Sequence, residues 1–173
     1  LAAFSLAVLM GVDPEGAASA LSSYKLKNGR VQRWDVNGKD VLLLTSKHEN
    51  SVSYDRSLSF AAKRGGTVLI IVDAISRKYF TGETSWLWDI DFNKLNVPEV
   101  EKIVLAGQYA YDLAERFSFT ELPAEKIELM RDLDRLPELW EGAGQNLTVI
   151  TCFSDREKFI RRLPMDAVRE EIE

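Results

Sequence analysis

Cysteine and histidine are nearly absent from the 173-residue sequence: there is one of each, Cys152 and His48. No internal disulfide can form and no Cys/His zinc site can be assembled. Any Ser-His-Asp or Cys-His arrangement within the chain would have to use His48. There is no excess of positive charge either. The net charge is −5, which argues against broad nucleic-acid or anionic-membrane binding, since both want clustered Lys and Arg. The apolar run Leu1 to Met10 has no basic residues before it and is too short to span a bilayer, which needs about 20 apolar residues. No stable membrane insertion is expected. Neither a G-x-x-x-x-G-K-[ST] loop nor a G-x-G-x-x-G fingerprint occurs, so the chain is not expected to hydrolyse ATP alone. Internal repeats, heptads and low-complexity stretches are also lacking.

What remains is a globular mixture, 46% apolar and 28% charged. A chain of this length can bury roughly 70% of its unfolded surface and needs no disulfide or metal to hold a core. Composition implies a soluble α/β or α+β protein of a reducing compartment, with a cytoplasmic location expected.

Hydrophobic periodicity gives the elements. Two helices are predicted over 1–10 and 14–23, with Asp13-Pro14-Glu15 reading as N-cap, N1 and first-turn acid. The first is apolar all round, the pattern of a helix covered on several sides. That points to a chain that starts inside a larger protein. Asn28-Gly29 reads as a linker. Residues 30–36 read as a strand, Asn37-Gly38 as a hairpin turn and 41–44 as a buried strand. A helix over 51–63 carries the stripe Tyr54, Leu58, Ala61 and ends at Gly65-Gly66. The runs 67–72, 103–106 and 147–151 read as central parallel strands covered on both faces. Helical stripes are Tyr109, Leu113, Phe117, then Ile127, Met130, Leu133, Leu136, with a last helix over 157–163. Alternation of strands and helices predicts an α/β, Rossmann-like, three-layer α/β/α sheet, mostly parallel with an antiparallel edge hairpin.

In such sheets ligands bind beyond the carboxyl ends of the strands. Those ends are predicted at 45–48, from Asp73 onward, at Gly107-Gln108 and at 152–154. The segment 73–92 is a long polar-aromatic loop holding Trp86, Trp88, Asp89 and Asp91. Read as extended, it would turn Trp86 and Trp88 to one face and Leu87 to the other, with at least one Trp anchored in the core. Asp89 or Asp91 would cap a helix near 93. Lys47 and His48 precede a helix N-terminus with Asn50, Ser51 and Ser53, a place where free N–H groups and a lysine could bind phosphate; a solvated turn is the plain alternative. Cys152 reads as a small core residue. Asn146-Leu147-Thr148 matches a glycosylation sequon but opens a buried strand.

Residues 84–92, TSWLWDIDF, after a strand ending in Asp73, resemble the SWLWD-x-(D/N)-F signature of MurT-type Mur ligase C-terminal domains. Residues 106–114 resemble that family's SG-x-R-A-x-D-M-A strand-to-helix segment, with Gln108 in place of its Arg. Gly29-Arg30 resembles the junction Gly-Arg, and residues 1–26 resemble the last helices of a Mur central domain through the GVDPE…AL pattern. The resemblance implies three segments: 1–27 from a central domain, 28–163 a C-terminal Rossmann-like domain, and 164–173 a tail. It implies an ATP-dependent amide ligase of peptidoglycan precursor synthesis, inactive as this chain alone. ATP and Mg²⁺ would be held in the full-length protein by a central P-loop domain of the same polypeptide. Arg30, Ser46 and Lys47 would touch nucleotide; Thr45 stands where related ligases often carry an Asp. The implied partner is a GatD-like glutaminase, whose Cys-His pair would be completed by a carboxylate, Asp73 being the counterpart and Asp89 the second candidate. The implied substrate is a cell-wall precursor. Two other readings stand beside this one: a non-catalytic docking domain for a glutaminase, and a free-standing flavodoxin-like ligand-binding domain.

Overall fold

Three β-branched runs organise the molecule. In the computed structural model, which describes residues 2–24, 29–47, 51–74 and 83–170, they are three neighbouring strands of one seven-stranded sheet. The chain divides after Asn28 into two compact units. The first holds α1 (Ala2–Leu9) and α2 (Pro14–Ser22). Asp13 caps α2, its carboxylate accepting from the Gly16 N–H at 2.8 Å, with Pro14 in the first turn. Both helices stand within two residues of their predicted bounds. None of the residues of α1 is buried, and Ala17 is the buried residue of α2.

The second unit carries the sheet. Its strands are β1 (Val31–Val36), β2 (Lys39–Ser46), β3 (Gly66–Ile71), β4 (Val100–Ala106), β5 (Ile127–Met130), β6 (Asn146–Cys152) and β7 (Val168–Glu170). Their spatial order is β5-β4-β3-β6-β2-β1-β7. The five from β5 to β2 are parallel; β1 and β7 add antiparallel pairs. The hairpin turns on Asn37 and Gly38, whose φ values of 53° and 77° match the right-handed twist of the strands. The segment 164–173 contributes β7, three exposed residues beside β1. The hairpin is therefore one strand in from the edge.

Helices cover both faces. On one, α3 (Ser51–Arg64) buries Tyr54, Leu58 and Ala61, and α4 (Ala110–Phe117) buries Leu113 and Phe117 against Val68, Ile70 and Leu105. On the other, α5 (Leu136–Gly142) and α6 (Phe153–Ile160) pack Leu139, Trp140 and Phe159 against Leu43, Leu69 and Val149. Arg64 at the end of α3 ties the amino ends of two strands, donating to the Asp40 carbonyl at 2.7 Å and to Thr148 Oγ1 at 3.0 Å.

Three expectations need correction. The stripe Ile127, Met130, Leu133, Leu136 is not one helix: Ile127–Met130 is β5, and a 3-10 turn leads into α5. Pro137 explains the break, because proline fits the first turn of a helix and not its interior. The last helix starts at Phe153, not 157, since the chain turns from β6 into α6 without a spacer. The SWLWD segment is not extended. Ser85–Asp89 is a 3-10 helix, which buries Leu87 and leaves Trp88 half exposed. Trp86 packs partly buried on the core, 5.3 Å from the Tyr54 ring. Asp91 does cap the next 3-10 turn, Phe92–Leu95, by accepting from the Asn93 N–H at 3.2 Å.

Because Leu87 fills the core, Leu87→Ala should cost about 2–5 kcal/mol. Trp88→Ala removes a surface stack on Phe119 and Arg116 and should cost about 1 kcal/mol or less. Urea unfolding of both variants checks this, and equal losses would contradict the packing described.

Candidate functional site

The direction in which the chain leaves each strand fixes where gaps open at the carboxyl edge. After β2, β3 and β4 it passes to the face of α3 and α4; after β5 and β6 it passes to the face of α5 and α6. Strand β6 lies between β2 and β3, so neighbouring chains diverge on both of its flanks. These are the positions where open α/β sheets bind ligands.

The end of β2 gathers Arg30, Ser46 and Lys47, Arg30 from the β1 side. The Thr45 N–H donates to the Arg30 carbonyl at 2.7 Å, which brings Arg30 alongside the end of β2. Its guanidinium lies 5.3 Å from the centre of the Phe153 ring at the start of α6. Arg156 lies 5.9 Å from the same ring and pairs with Glu157 at 2.8 Å. Ser46 is buried and its hydroxyl is 2.9 Å from that of Ser53 on α3, so it braces the helix and does not face solvent. Lys47 is exposed, with no hydrogen bond or ion pair among the described residues. A shallow depression of about 240 Å³ lies between the β1–β2 pair and α3, lined by Arg30, Leu44, Thr45, Ser53, Arg56 and Phe60; Lys47 is not part of its lining. His48 and Asn50 lie outside the described residues.

The β3/β6 flank is closed by charge. Asp73 follows the last ladder residues of β3. Its Oδ1 accepts from the Gln108 N–H at 2.7 Å, and Oδ2 pairs with the Lys158 ammonium. Gly107 makes the first contact possible. Its φ is +96°, and a Cβ there would sit 2.6 Å from the Val72 carbonyl oxygen. The fully buried Asp155 reaches across from α6, its Oδ2 accepting from the N–H groups of Asp73 at 2.8 Å and Ala74 at 3.0 Å. Its Oδ1 has no hydrogen bond among the described residues and is compensated by Lys158 at 3.2 Å. Burial works against the Lys158 ammonium, but the bond to Asp73 and the attraction of Asp155 outweigh it and raise the pKa. A raised lysine stabilises the fold fully below the ordinary lysine range and loses that contribution only as the pH climbs through the raised value. The bridge is therefore constant across neutral pH.

Asp89 does not join Asp73. It is exposed in the 3-10 helix whose carbonyls at Leu87 and Ile90 accept from Arg116, in the last turn of α4, whereas Gln108 precedes that helix. Among the described residues the two acids share no hydrogen-bond or ion-pair partner. They form no carboxylate pair. The residues 75–82 that complete the expected loop lie outside the described residues. Asp155 and Lys158 were not anticipated from sequence. The available signal was an acid and a lysine three residues apart at the start of a helix following a buried strand. Among the described residues no cluster of three or more His, Cys, Asp or Glu could hold a metal, and no helix is long and apolar enough to cross a membrane.

Comparison with known proteins adds two findings. The model of a family described as MurT ligase C-terminal matches residues 48–155. The lipid II isoglutaminyl synthase (glutamine-hydrolyzing) subunit MurT of Staphylococcus aureus (strain COL) is 25% identical over 122 residues, 70% of this chain and 28% of that protein. Its namesake in Streptococcus pneumoniae (strain ATCC BAA-255 / R6) is 24% identical over 137 residues, 79% of this chain and 30% of that protein. The chain spans less than a third of the length of these relatives.

Cys152, at the end of β6, is closed to chemistry. Burial pushes its thiol up to about 12; the hydrogen bond from Tyr54 works against that, and the Asp155 carboxylate adds to it. A thiol so placed has almost no thiolate at neutral pH. Iodoacetamide at pH 8 should label Cys152 only after unfolding, and rapid labelling of the native protein would show that the edge is open there.

Proposed function

The chain belongs to the MurT ligase C-terminal family, and from that premise we propose that it is the C-terminal domain of an ATP-dependent amide ligase that works on a peptidoglycan precursor in the cytoplasm. The observation that carries the reading is the end of β2, where Arg30, tied to Thr45, and the exposed Lys47 stand at the carboxyl edge of the parallel sheet, with Arg30 also on the rim of a shallow depression against α3. An exposed Lys47 without a partner among the described residues is suited to an anionic ligand, so the residues present fit the edge of a bound nucleotide.

ATP would supply the phosphoryl group that activates a substrate carboxylate. This chain's part is to bind and to exclude water. Lys47 would meet phosphate oxygens and Arg30 would meet phosphate or ribose, while Ser46 fixes the start of α3 through Ser53. An activated acyl group must be kept from water until an amine arrives, which suits a domain that closes over a cleft. The chain has no phosphate-binding loop and no described cluster of metal ligands, so a central P-loop domain would hold ATP and Mg²⁺. The exposed apolar surface of α1 and α2 supports assigning residues 1–27 to that domain, with 28–163 the C-terminal domain proper and 164–173 its terminal segment.

The amine would be ammonia from a GatD-like glutaminase, with Asp73 offered to the partner's Cys-His pair. A docking role for the same partner has its own support. Trp88 and Phe119, 52% and 64% exposed, meet edge to face at 5.1 Å with Arg116 beside Trp88. Trp and Arg dominate the energetics of protein interfaces.

The isolated chain should show no ATP turnover above a buffer control. In the full-length enzyme Lys47→Ala should lower kcat/KM for amidation about 10–150-fold, the equivalent of one charge-assisted hydrogen bond worth about 1.5–3 kcal/mol. Wild-type kinetics in that variant would make Lys47 a solvated lysine and remove the nucleotide role from this domain.

A further inference from the structure

The sheet ladder ends at Val72, whose N–H donates to the Ala106 carbonyl at 3.0 Å. The next two N–H groups, of Asp73 and Ala74, lie beyond that ladder. Both are taken by Asp155 Oδ2, a carboxylate with no exposed surface. An acid in the first turn of a helix ordinarily serves that helix's own free N–H groups. Here it is spent across the gap on another strand. Ser154 adds a third tie, its hydroxyl donating to the Ala74 carbonyl at 3.2 Å.

We propose that Asp155 is a positioning residue that fixes the chain leaving β3 and so aims the Asp73 carboxylate, with Lys158 as the cation shared by the two acids. Lys158 stands one turn along α6, touches Asp73 Oδ2 and lies 3.2 Å from Asp155 Oδ1. It is the cation between two carboxylates, one of them wholly buried. With it, Asp73 is held at both oxygens, by Gln108 N–H and by Lys158, yet its side chain is 21% exposed. Its backbone is pinned by one helix and its carboxylate by the same helix and the β4–α4 turn. The group is thereby oriented before any partner arrives, and preorganisation of this kind lowers the cost of assembling a site from two proteins. The consequence for amidation rests on reading Asp73 as the carboxylate offered to a glutaminase.

The test uses the full-length ligase with its glutaminase subunit and two readouts. Hydrogen exchange reports on the clamp. Asp155→Asn keeps the shape and removes the charge, and should speed exchange at the amides of Asp73 and Ala74 about tenfold or more while β4 and β6 stay protected. Lys158→Met should leave those two amides near wild-type protection, because Asp155 still accepts them. Amidation driven by glutamine against amidation driven by added ammonia reports on aim. In both variants the glutamine-driven rate should fall about tenfold further than the ammonia-driven rate, a split that loss of stability alone does not produce. If Asp155→Asn leaves both amides protected, or Lys158→Met releases them as fully as Asp155→Asn, the clamp is overturned. Should Asp155→Asn not fold, the wild-type protein decides: exchange of the Asp73 and Ala74 amides as fast as in unstructured chain, with β3 protected, overturns the clamp. If Asp73→Ala leaves the ratio of glutamine-driven to ammonia-driven amidation unchanged, the glutaminase role of Asp73 fails, and the exchange data still judge the clamp by itself.

Discussion

The sheet depends on β6. It forms seven residue pairs with β2 on one side and five with β3 on the other, and without it those two strands do not touch. The last parallel strand in the sequence thus fills the centre of the sheet. Its partners are about a hundred residues away in the case of β2, so the core closes only when distant segments meet. Such contacts carry a loop-closure cost that must be met before the pairing rewards it. The burial on β6 matches that demand. Leu147 through Cys152 are all buried, with Leu147 and Val149 facing one helical layer and Ile150 and Cys152 the other.

The same insertion creates the edge on which function is proposed. The chain leaves β6 toward one face and leaves its neighbours β2 and β3 toward the other, and two gaps result. Their chemistry differs because the residues at their rims differ. On the β2 side the rim offers cations, Arg30 and Arg156 over the partly exposed Phe153 and Lys47 at the end of β2. On the β3 side the rim is an interlocked set of two acids and a lysine with backbone donors between them. One gap is rimmed by cations, which is why an anion is proposed there; the other is filled by its own charges.

The layers and the parallel strands were legible because each had a local pattern that tertiary context reinforced. Residues 67–72 and 147–151 are unbroken β-branched or apolar runs, and Asn37-Gly38 admits few conformations other than a tight hairpin. Where local pattern and context disagreed, context won. Ile127, Met130, Leu133 and Leu136 keep a spacing that fits a helix, but β4 offers an open edge, and Ile127–Met130 pairs with it in register. SWLWD looked extended because tryptophans alternate there, yet burying the single Leu87 needs a tight turn, and that turn put Trp88 outside.

The site was legible in part. Asp73 and Lys47 were marked by their place after predicted strands and Arg30 by the junction Gly-Arg resemblance, and all three stand at the carboxyl edge of the parallel strands. Asp89 was marked only by its neighbours in the motif, and among the described residues it shares no partner with Asp73. Asp155 escaped because its partners are backbone N–H groups some eighty positions earlier, and nothing in its own segment, CFSDREKF, distinguishes it from an acid in an ordinary first turn. A buried carboxylate in the described residues has to be matched by donors, and only the fold says which. That is why a charge of no apparent consequence in the sequence is the residue on which the exit of β3 depends. Where Asp73 points is decided in a helix that begins only after the sheet's central strand is in place.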